Sequence, residues 1–540
     1  MKSFERFGRG RQLVLGEQGM IASGHYLASL TGLNILRSGG NAIDAAIGAS
    51  ATLAVLRPHM CGIGGDAFMI YHDQRANCLR ALNGSGRSPY AADLDSFRRR
   101  ALHQVPAKGI LSATVPGLVD LWFEALACHG TMEFSEVAAD AIQYAGEGFP
   151  AYQRLCLALQ GRRFQELAAD ERLLKDTYYI QGRPPHVGEK IQQRHLAASL
   201  KAIAAKGREA FYGGPLTSQI VAASGSRGGL FSERDFAEHR STWVEPLRVD
   251  YRGCDILAFP PNTQGVGLLE QLNVLDAVGA TSMPYGSADY LHVMIEVKKR
   301  VFEDVARYVT DPQFFSAPLE NLLSKQYAND LGRHVLSHSA RERSRPDLNA
   351  ATEQGGDTTY LCVVDRDRNC VSLILSLYES FGSGVVLDET GIILHNRGKG
   401  FSLNPEHVNR IEPHKRPFHT LCPAMMLRDG QPYLVYGTPG ASGQTQTLVQ
   451  VTNNLLVHGM DLQDAIEAPR FRHTEGAESL IEFGYEEGTY KELESRGHKL
   501  TLLSRWDNDC GGVQAIMIDP ATKILMGGAD PRRDGVALGY

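Results

Sequence analysis

Two adjacent hydroxyls, Thr358 and Thr359, stand where the polar turn Gly355-Gly356-Asp357 runs into Tyr360-Leu361-Cys362-Val363-Val364-Asp365, a segment that reads as a buried strand. The chemistry open to such a pair is that of a nucleophile, because a strand holds a hydroxyl rigidly and a neighbouring base can take its proton. Packing alone also accounts for the pair: the branched Cβ of Thr suits a pleated surface, and Gly-Gly-Asp is ordinary turn chemistry. Two other patterns carry less. Gly62-Ile63-Gly64-Gly65-Asp66-Ala67 satisfies a loose G-x-G-x-x-A fingerprint, but it follows a helix and opens a strand, the reverse of a dinucleotide site, and reads as a tight turn that lets backbone approach the active site. His395, His407, His414 and His419 are separated by 12, 7 and 5 residues. These spacings match no helical or hairpin ligand pair, so neither a metal nor a cofactor is expected.

The elements that must position these residues have two textures. The first half is helix-rich, with helical patterns at Ala28 to Arg37, Asn41 to Leu56, Leu118 to Cys128, Ser135 to Ala145, Glu189 to Ala205 and Ala288 to Tyr308. Asn41 is placed to cap the second, and Gly39-Gly40 to end the first. Strand patterns lie between them at Ala67 to His72 and Arg248 to Ala258. After Gly356 strands crowd together at Thr358 to Val364, Cys370 to Leu377, Gly391 to His395, Ala424 to Leu427 and Tyr433 to Tyr436. Helices return at Gln444 to His458 and Thr489 to Arg496, and a hairpin-like pair lies near Ala515 to Met526. That order predicts an α+β fold, a layered sheet sandwich covered by helices on both sides.

With 540 residues the chain can bury a large core, and length as a soft prior suggests three or four domains. A composition of 43% hydrophobic and 21% charged residues with a formal charge of -6 excludes a broad attraction to nucleic acid. Arg98-Arg99-Arg100 reads as a solvated helix end. The longest mostly apolar segment, Ala45 to Leu56, falls short of the roughly 20 residues of a membrane helix. Leu13-Val14-Leu15 is too short for a signal-peptide core. Nine cysteines, odd in number and without a Cys-x-x-Cys pair, are expected to be reduced core residues of a cytoplasmic protein.

Several short motifs, each weak alone, occur in one order along the chain: Gly39-Gly40-Asn41-Ala42-Ile43-Asp44-Ala45-Ala46, Pro58-His59-Met60-Cys61-Gly62-Ile63-Gly64-Gly65, Lys415-Arg416-Pro417, Gly437-Thr438-Pro439-Gly440, Ala468-Pro469-Arg470-Phe471 and Asp530-Pro531-Arg532. Together they resemble the gamma-glutamyltranspeptidase family of N-terminal nucleophile hydrolases. The resemblance implies a four-layer αββα sandwich and a chain that cuts itself before a Thr, which becomes both new N-terminus and nucleophile. Aligned on Val363-Val364-Asp365, that residue is Thr358, with Asp357 before the cut. The fragments would be residues 1–357 and 358–540, held together as one composite domain and a heterodimer of one chain's two halves. The freed α-amino group, with a reference pKa of about 7.7 to 8.0, would serve as the base. Thr359 is expected on the opposite strand face. By position the family implies Ser376 as the hydroxyl that orients the nucleophile, and backbone N–H groups of Gly440 and Ala441 as the oxyanion hole.

The implied substrate pocket departs from the γ-glutamyl pattern. The Arg that holds the α-carboxylate falls at Ser85, with Arg87 two residues on as the available replacement; the Asp that holds the α-amino group falls at Gly400. An Asn becomes Tyr378, and a Ser pair becomes His419-Thr420. A glutamyl zwitterion would be left poorly paired, at roughly 1 to 3 kcal/mol per unsatisfied group. Tyr378-Glu379-Ser380-Phe381-Gly382-Ser383-Gly384, His395-Asn396-Arg397-Gly398 and Pro417-Phe418-His419-Thr420 resemble the bacterial branch that includes oxamate amidohydrolase. A small anion without an amino group would find Arg87, Arg397, Lys399 and His419 as contacts, unless these form a solvated rim. The expected function is a self-processing amide hydrolase, with possible acyl transfer, acting on a γ-glutamyl compound such as glutathione or on a related small carboxylate amide. The alternatives are an oxamate-type amidohydrolase without γ-glutamyl activity and an uncleaved, catalytically silent relative.

Overall fold

The computed structural model describes residues 10–335, 339–340 and 356–540. Gly355, at the start of the turn before Thr358, lies outside the described residues. The principal strands, in chain order, are β1 Val14–Gly16, β2 Met20–Ser23, β3 Asp66–Asp73, β4 Cys78–Gly84, β5 Thr242–Val244, β6 Leu247–Tyr251, β7 Cys254–Ala258, β8 Gly356–Val364, β9 Cys370–Glu379, β10 Ala424–Arg428, β11 Gln431–Gly437, β12 Gln514–Ile518, β13 Leu525–Ala529 and β14 Val536–Gly539. They form two seven-stranded sheets, one ordered β14-β2-β8-β9-β3-β4-β5 and the other β1-β13-β12-β11-β10-β7-β6.

Strand periodicity explains why β8 and β9 are apolar on both faces. Tyr360, Cys362 and Val364 join Met425 and Val435 in a core between the sheets. Their neighbours Leu361 and Val363 point the other way, into a core shared with helices α1 Tyr26–Arg37 and α2 Ala42–Leu56. Helices α3 Gly265–Ala277, α4 Ala288–Tyr308 and α5 Gly443–Leu456 cover the outer face of the second sheet, packing on Ile256, Met426 and Leu434. Helix α2 is buried along its whole length and starts where its cap predicts: the Asn41 side chain accepts from Ile43 and Asp44 N–H, and Asp44 returns a bond to the Asn41 N–H.

Several sequence expectations are corrected. Arg248 to Ala258 is a hairpin, β6 and β7, rather than one strand; it turns at Arg252 (φ 54°) and Gly253 (φ 75°), the paired positive φ of a two-residue hairpin loop. Ser135 to Ala145 divides into the helices Phe134–Val137 and Ala139–Glu147, and the helix expected from Glu189 begins only at Arg194, after a short strand Lys190–Ile191. The strand at Gly391 to His395 contracts to Ile392–Ile393. Among the described residues no helix is long and apolar enough to cross a membrane.

Candidate active site

The β8–β9 ladder is interrupted by a register shift between Asp357 and Thr359. At this irregularity Thr358, 1% exposed, turns its hydroxyl toward Ser376 of β9. Thr358 Oγ1 donates to Ser376 Oγ at 3.2 Å, and Ser376 Oγ donates onward to the Asp357 carbonyl oxygen at 2.7 Å while accepting from Tyr378 N–H at 2.7 Å. A hydroxyl, a second hydroxyl and a carbonyl are thus joined across the peptide bond between residues 357 and 358. Tyr378 holds φ at 79°, a left-handed conformation that costs a side-chain-bearing residue about 1 to 2 kcal/mol. Thr359 faces the helix layer, its Oγ1 accepting from Arg57 Nη1 at 3.4 Å. Gly65 lies against the centre: a Cβ there would come within 2.6 Å of the Ser376 carbonyl oxygen. The turn predicted at Gly62–Gly65 therefore does bring backbone to this point, closed by Gly65 N–H to Gly62 O at 2.9 Å.

The turn after β11 carries Gly440 and Ala441. Gly437, at the end of β11, packs so closely on the Tyr360 ring that a Cβ would lie 2.3 Å from it; Tyr360 follows Thr358 by two residues on the same strand. The turn is fixed through its carbonyls. Gly440 O accepts from Gly443 N–H at 2.8 Å, and Ala441 O accepts from Gln444 N–H at 3.2 Å and from Gln264 Nε2 at 2.9 Å. The N–H groups of Gly440 and Ala441 donate in none of these bonds, and both residues have positive φ, 134° and 50°.

Arg397, Tyr378, His419 and Thr420 come together. The Arg397 guanidinium stacks 4.0 Å over the Tyr378 ring, and its Nη1 reaches Thr420 Oγ1 at 3.5 Å. Arg397 Nη2 and Tyr378 Oη, both buried, have no hydrogen-bond partner. Burial pushes the Arg397 pKa down to about 10, against the pull of Tyr378, Asp66 and Glu379, so it stays charged at neutral pH. His419 is pushed down to about 3 by burial and by Arg397, and is therefore neutral there. The other two expected contacts are engaged elsewhere. Lys399 Nζ is 2.5 Å from Glu379 Oε1, and Arg87 turns to Gln313 Oε1 at 3.5 Å, with Asp311 and Tyr90 as electrostatic neighbours. Ser85, at the position of the family's Arg, is tied to Asn83 Oδ1 at 2.7 Å and to Asn262 Nδ2 at 3.2 Å.

Sequence reasoning passed over Asp66. Its carboxylate, 1% exposed, sits on β3 directly across from Ser376. Oδ1 accepts from the N–H groups of Gly86 and Gly117 at 3.0 and 3.1 Å, and Oδ2 lies 3.2 Å from His419 Nε2. Burial alone would raise its pKa, but His395, His419 and Arg397 outweigh that and hold it well below the usual carboxylate range. The signal was present, an acid inside a glycine-rich turn next to a strand. Two backbone donors take up Oδ1, and Oδ2 keeps only the close approach of His419, so the carboxylate anchors the Gly86 and Gly117 backbone to β3.

The four histidines weighed for a metal separate into different roles: His395 and His419 flank Asp66, His414 stacks on Tyr90, and His407 Nδ1 accepts from Asn409 N–H. Among the described residues one other group, His292, Glu296 and His498, has its potential ligand atoms within 4.8 Å. There Lys299 Nζ is 2.7 Å from Glu296, and His498 is pushed down to about 3 by burial, Lys299, His292 and Arg496, a positive setting that opposes a cation.

A family model described as Gamma-glutamyltranspeptidase matches residues 28–540. Over 532 residues the chain is 41% identical to the glutathione hydrolase-like YwrD proenzyme of Bacillus subtilis strain 168, covering 97% of this chain and 99% of that protein. The oxamate amidohydrolase proenzyme of Klebsiella pneumoniae is 32% identical over 534 residues, with coverage of 97% and 98%. Among solved structures, cephalosporin acylase from Bacillus halodurans superposes with a TM-score of 0.91 at 35% identity, covering 100% of this chain and 99% of that one.

Proposed function

The chain belongs to the gamma-glutamyltranspeptidase family of hydrolases and acyltransferases, and from that premise we propose that it is a self-processing amide hydrolase whose nucleophile is Thr358. The observation that carries this reading is the hydrogen-bond chain from Thr358 Oγ1 through Ser376 Oγ to the Asp357 carbonyl oxygen. The Thr358 oxygen attacks the Asp357 carbonyl carbon. Its proton passes to Ser376 Oγ as Ser376 delivers its own to the carbonyl oxygen. Breaking the C–N bond returns that proton to nitrogen, leaving an ester at Thr358 and a free α-amine. Water then releases fragments 1–357 and 358–540, which stay associated through the shared four-layer αββα sandwich.

In the processed enzyme the new α-amine takes the Thr358 proton, and the hydroxyl attacks the substrate amide. The oxyanion is received by the N–H groups of Gly440 and Ala441. The acyl group then occupies the pocket of Arg397, Tyr378, His419 and Thr420. A buried guanidinium with an unpartnered Nη2 beside an unpartnered phenol favours a carboxylate there, and no acid at position 400 meets an ammonium. A small carboxylate amide without an α-amino group is the substrate class this pocket suits best. Similarity to an oxamate amidohydrolase and a cephalosporin acylase supports that choice; similarity to a glutathione hydrolase-like protein keeps a γ-glutamyl amide as the second reading.

Purified wild-type protein is expected as two bands on a denaturing gel and Thr358→Ala as one. Among γ-glutamyl-4-nitroanilide, glutathione, glutaryl-4-nitroanilide and oxamate, hydrolysis fastest for the two glutamyl compounds overturns the preference for an amine-free acyl group.

A further inference from the structure

One buried side chain links the acyl pocket to the turn that receives the oxyanion. Gln264 is 0% exposed and directly precedes α3 as its N-cap. Its Nε2 donates to the Thr420 carbonyl oxygen at 2.5 Å and to the Ala441 carbonyl oxygen at 2.9 Å, which uses both of its N–H bonds. Carbonyl oxygens only accept, so the amide has one allowed orientation; turned over, Oε1 would face two of them. In the observed orientation Oε1 has no hydrogen-bond partner. A buried acceptor left unpaired is a cost, and it falls on the one group that joins position 420 to position 441.

The two ends of this bridge differ in what else holds them. His419 O accepts from the Gln264 backbone N–H at 3.0 Å, His419 N–H donates to Asn262 O at 2.8 Å, and Cys422 N–H donates to Gln444 Oε1 at 2.9 Å. The segment around Thr420 therefore stays anchored when the Gln264 side chain is removed. Ala441 O would keep only the Gln444 N–H at 3.2 Å. Ala441 sits at φ 50°, in the left-handed region that disfavours a side-chain-bearing residue. The peptide before it is fixed by Gly443 N–H to Gly440 O at 2.8 Å, and the peptide after it by Gln264. With the second restraint gone, relaxation of that torsion is shared between both peptides, and the Ala441 N–H turns with them.

We propose that Gln264 is a positioning residue that holds the Ala441 peptide in register with the acyl pocket, so that the oxyanion donors are aligned when a carboxylate is seated at Arg397. It touches no reacting atom and acts on the rate through the turn. This inference rests on the Thr358 reading, and the test separates the two. Gln264→Met keeps the length and removes both donors. For glutaryl-4-nitroanilide kcat should fall about 10- to 100-fold, less than the roughly 1000-fold that loss of a whole oxyanion donor can cost, with KM held within about twofold. Two inhibitors read the cause. Glutarate binds as the product and needs no oxyanion hole. 4-Boronobutanoate accepts the Thr358 oxygen at boron as the hydroxyl proton passes to the α-amine, giving a tetrahedral anion with one oxygen in the oxyanion position. In Gln264→Met the boronate should weaken by the same factor as kcat/KM while glutarate is unchanged, a split that general disorder of the pocket does not produce. Gln264→Glu presents a carboxylate to the same two carbonyls; it should lose at least as much at about pH 8 and recover relative to wild type as the pH falls and the carboxyl gains a proton to donate. If Gln264→Met is not processed, Gln264→Glu carries the same two-inhibitor comparison. Failure of both variants to fold and self-cleave makes Gln264 a structural residue and overturns the proposal. Wild type without fragments or hydrolysis removes the Thr358 reading. A processed, active wild type whose Gln264→Met variant keeps its kcat, or loses glutarate and boronate alike, overturns the positioning role alone.

Discussion

Replacing Arg397 by Met tests the substrate assignment most sharply, because Met keeps an apolar stem of similar reach against the Tyr378 ring while removing the charge. The guanidinium is 1% exposed, touches Thr420 only at 3.5 Å and leaves Nη2 without a partner. Its strongest polar interaction is therefore expected to be with substrate. A hydrogen bond to a charged group contributes about 1.5 to 3 kcal/mol, which corresponds to about 10- to 150-fold in kcat/KM. Against glutaryl-4-nitroanilide the variant should lose that much, chiefly in KM; against butyryl-4-nitroanilide, which has the same linkage and no carboxylate, it should lose nothing. Arg397→Lys should fall between, since an ammonium keeps the charge but not the planar stack over Tyr378 at 4.0 Å. Equal losses on both anilides would make Arg397 a structural residue, and an undiminished glutaryl rate would place the carboxylate elsewhere; either result refutes the reasoning.

Ser376→Ala breaks the link between Thr358 and the Asp357 carbonyl and should slow self-cleavage by about 100-fold or more, followed as the appearance of fragments with time on a gel. Gly437→Ala should destabilise the protein by about 1 to 3 kcal/mol in urea unfolding, because the new methyl group meets the Tyr360 ring. Stability should also fall on acidification below pH 6.5. His25, His239 and His419 are each pushed down to about 3, burial being the first cause, whereas the unfolded chain protonates near 6.5. Between those values the unfolded state binds more protons, so each histidine costs on the order of 1 kcal/mol per pH unit as pH drops. The urea midpoint at pH 5 should lie below that at pH 7.5, and an unchanged midpoint would contradict these burials.

The parts of the fold that could be read from sequence were those with local causes. Asn41 and Asp44 form a reciprocal cap, so the start of α2 was fixed by neighbours three residues apart. Tyr360 to Val364 are apolar at every position, and Cys370 to Leu377 at all but Ser372 and Ser376, which two covered faces demand. The hairpin at Arg252-Gly253 was missed because its turn has one glycine and an arginine, and the flanking residues continue an unbroken strand pattern. Of the proposed site, the sequence motifs single out Thr358 and Ser376, which the fold joins by a hydrogen bond, whereas arrangements that depend on partners far along the chain leave no local mark. Nothing local tells that Lys399 is spent on Glu379, that Arg87 turns to Gln313, or that Asp66 gathers Gly86, Gly117 and His419.

Terminal sequencing and intact-mass measurement of the active protein test the central claim most directly. The account predicts two associated fragments, the smaller beginning at Thr358, with amide hydrolysis appearing in step with their formation. A full-length chain that hydrolyses amides without a new terminus at that residue would contradict it.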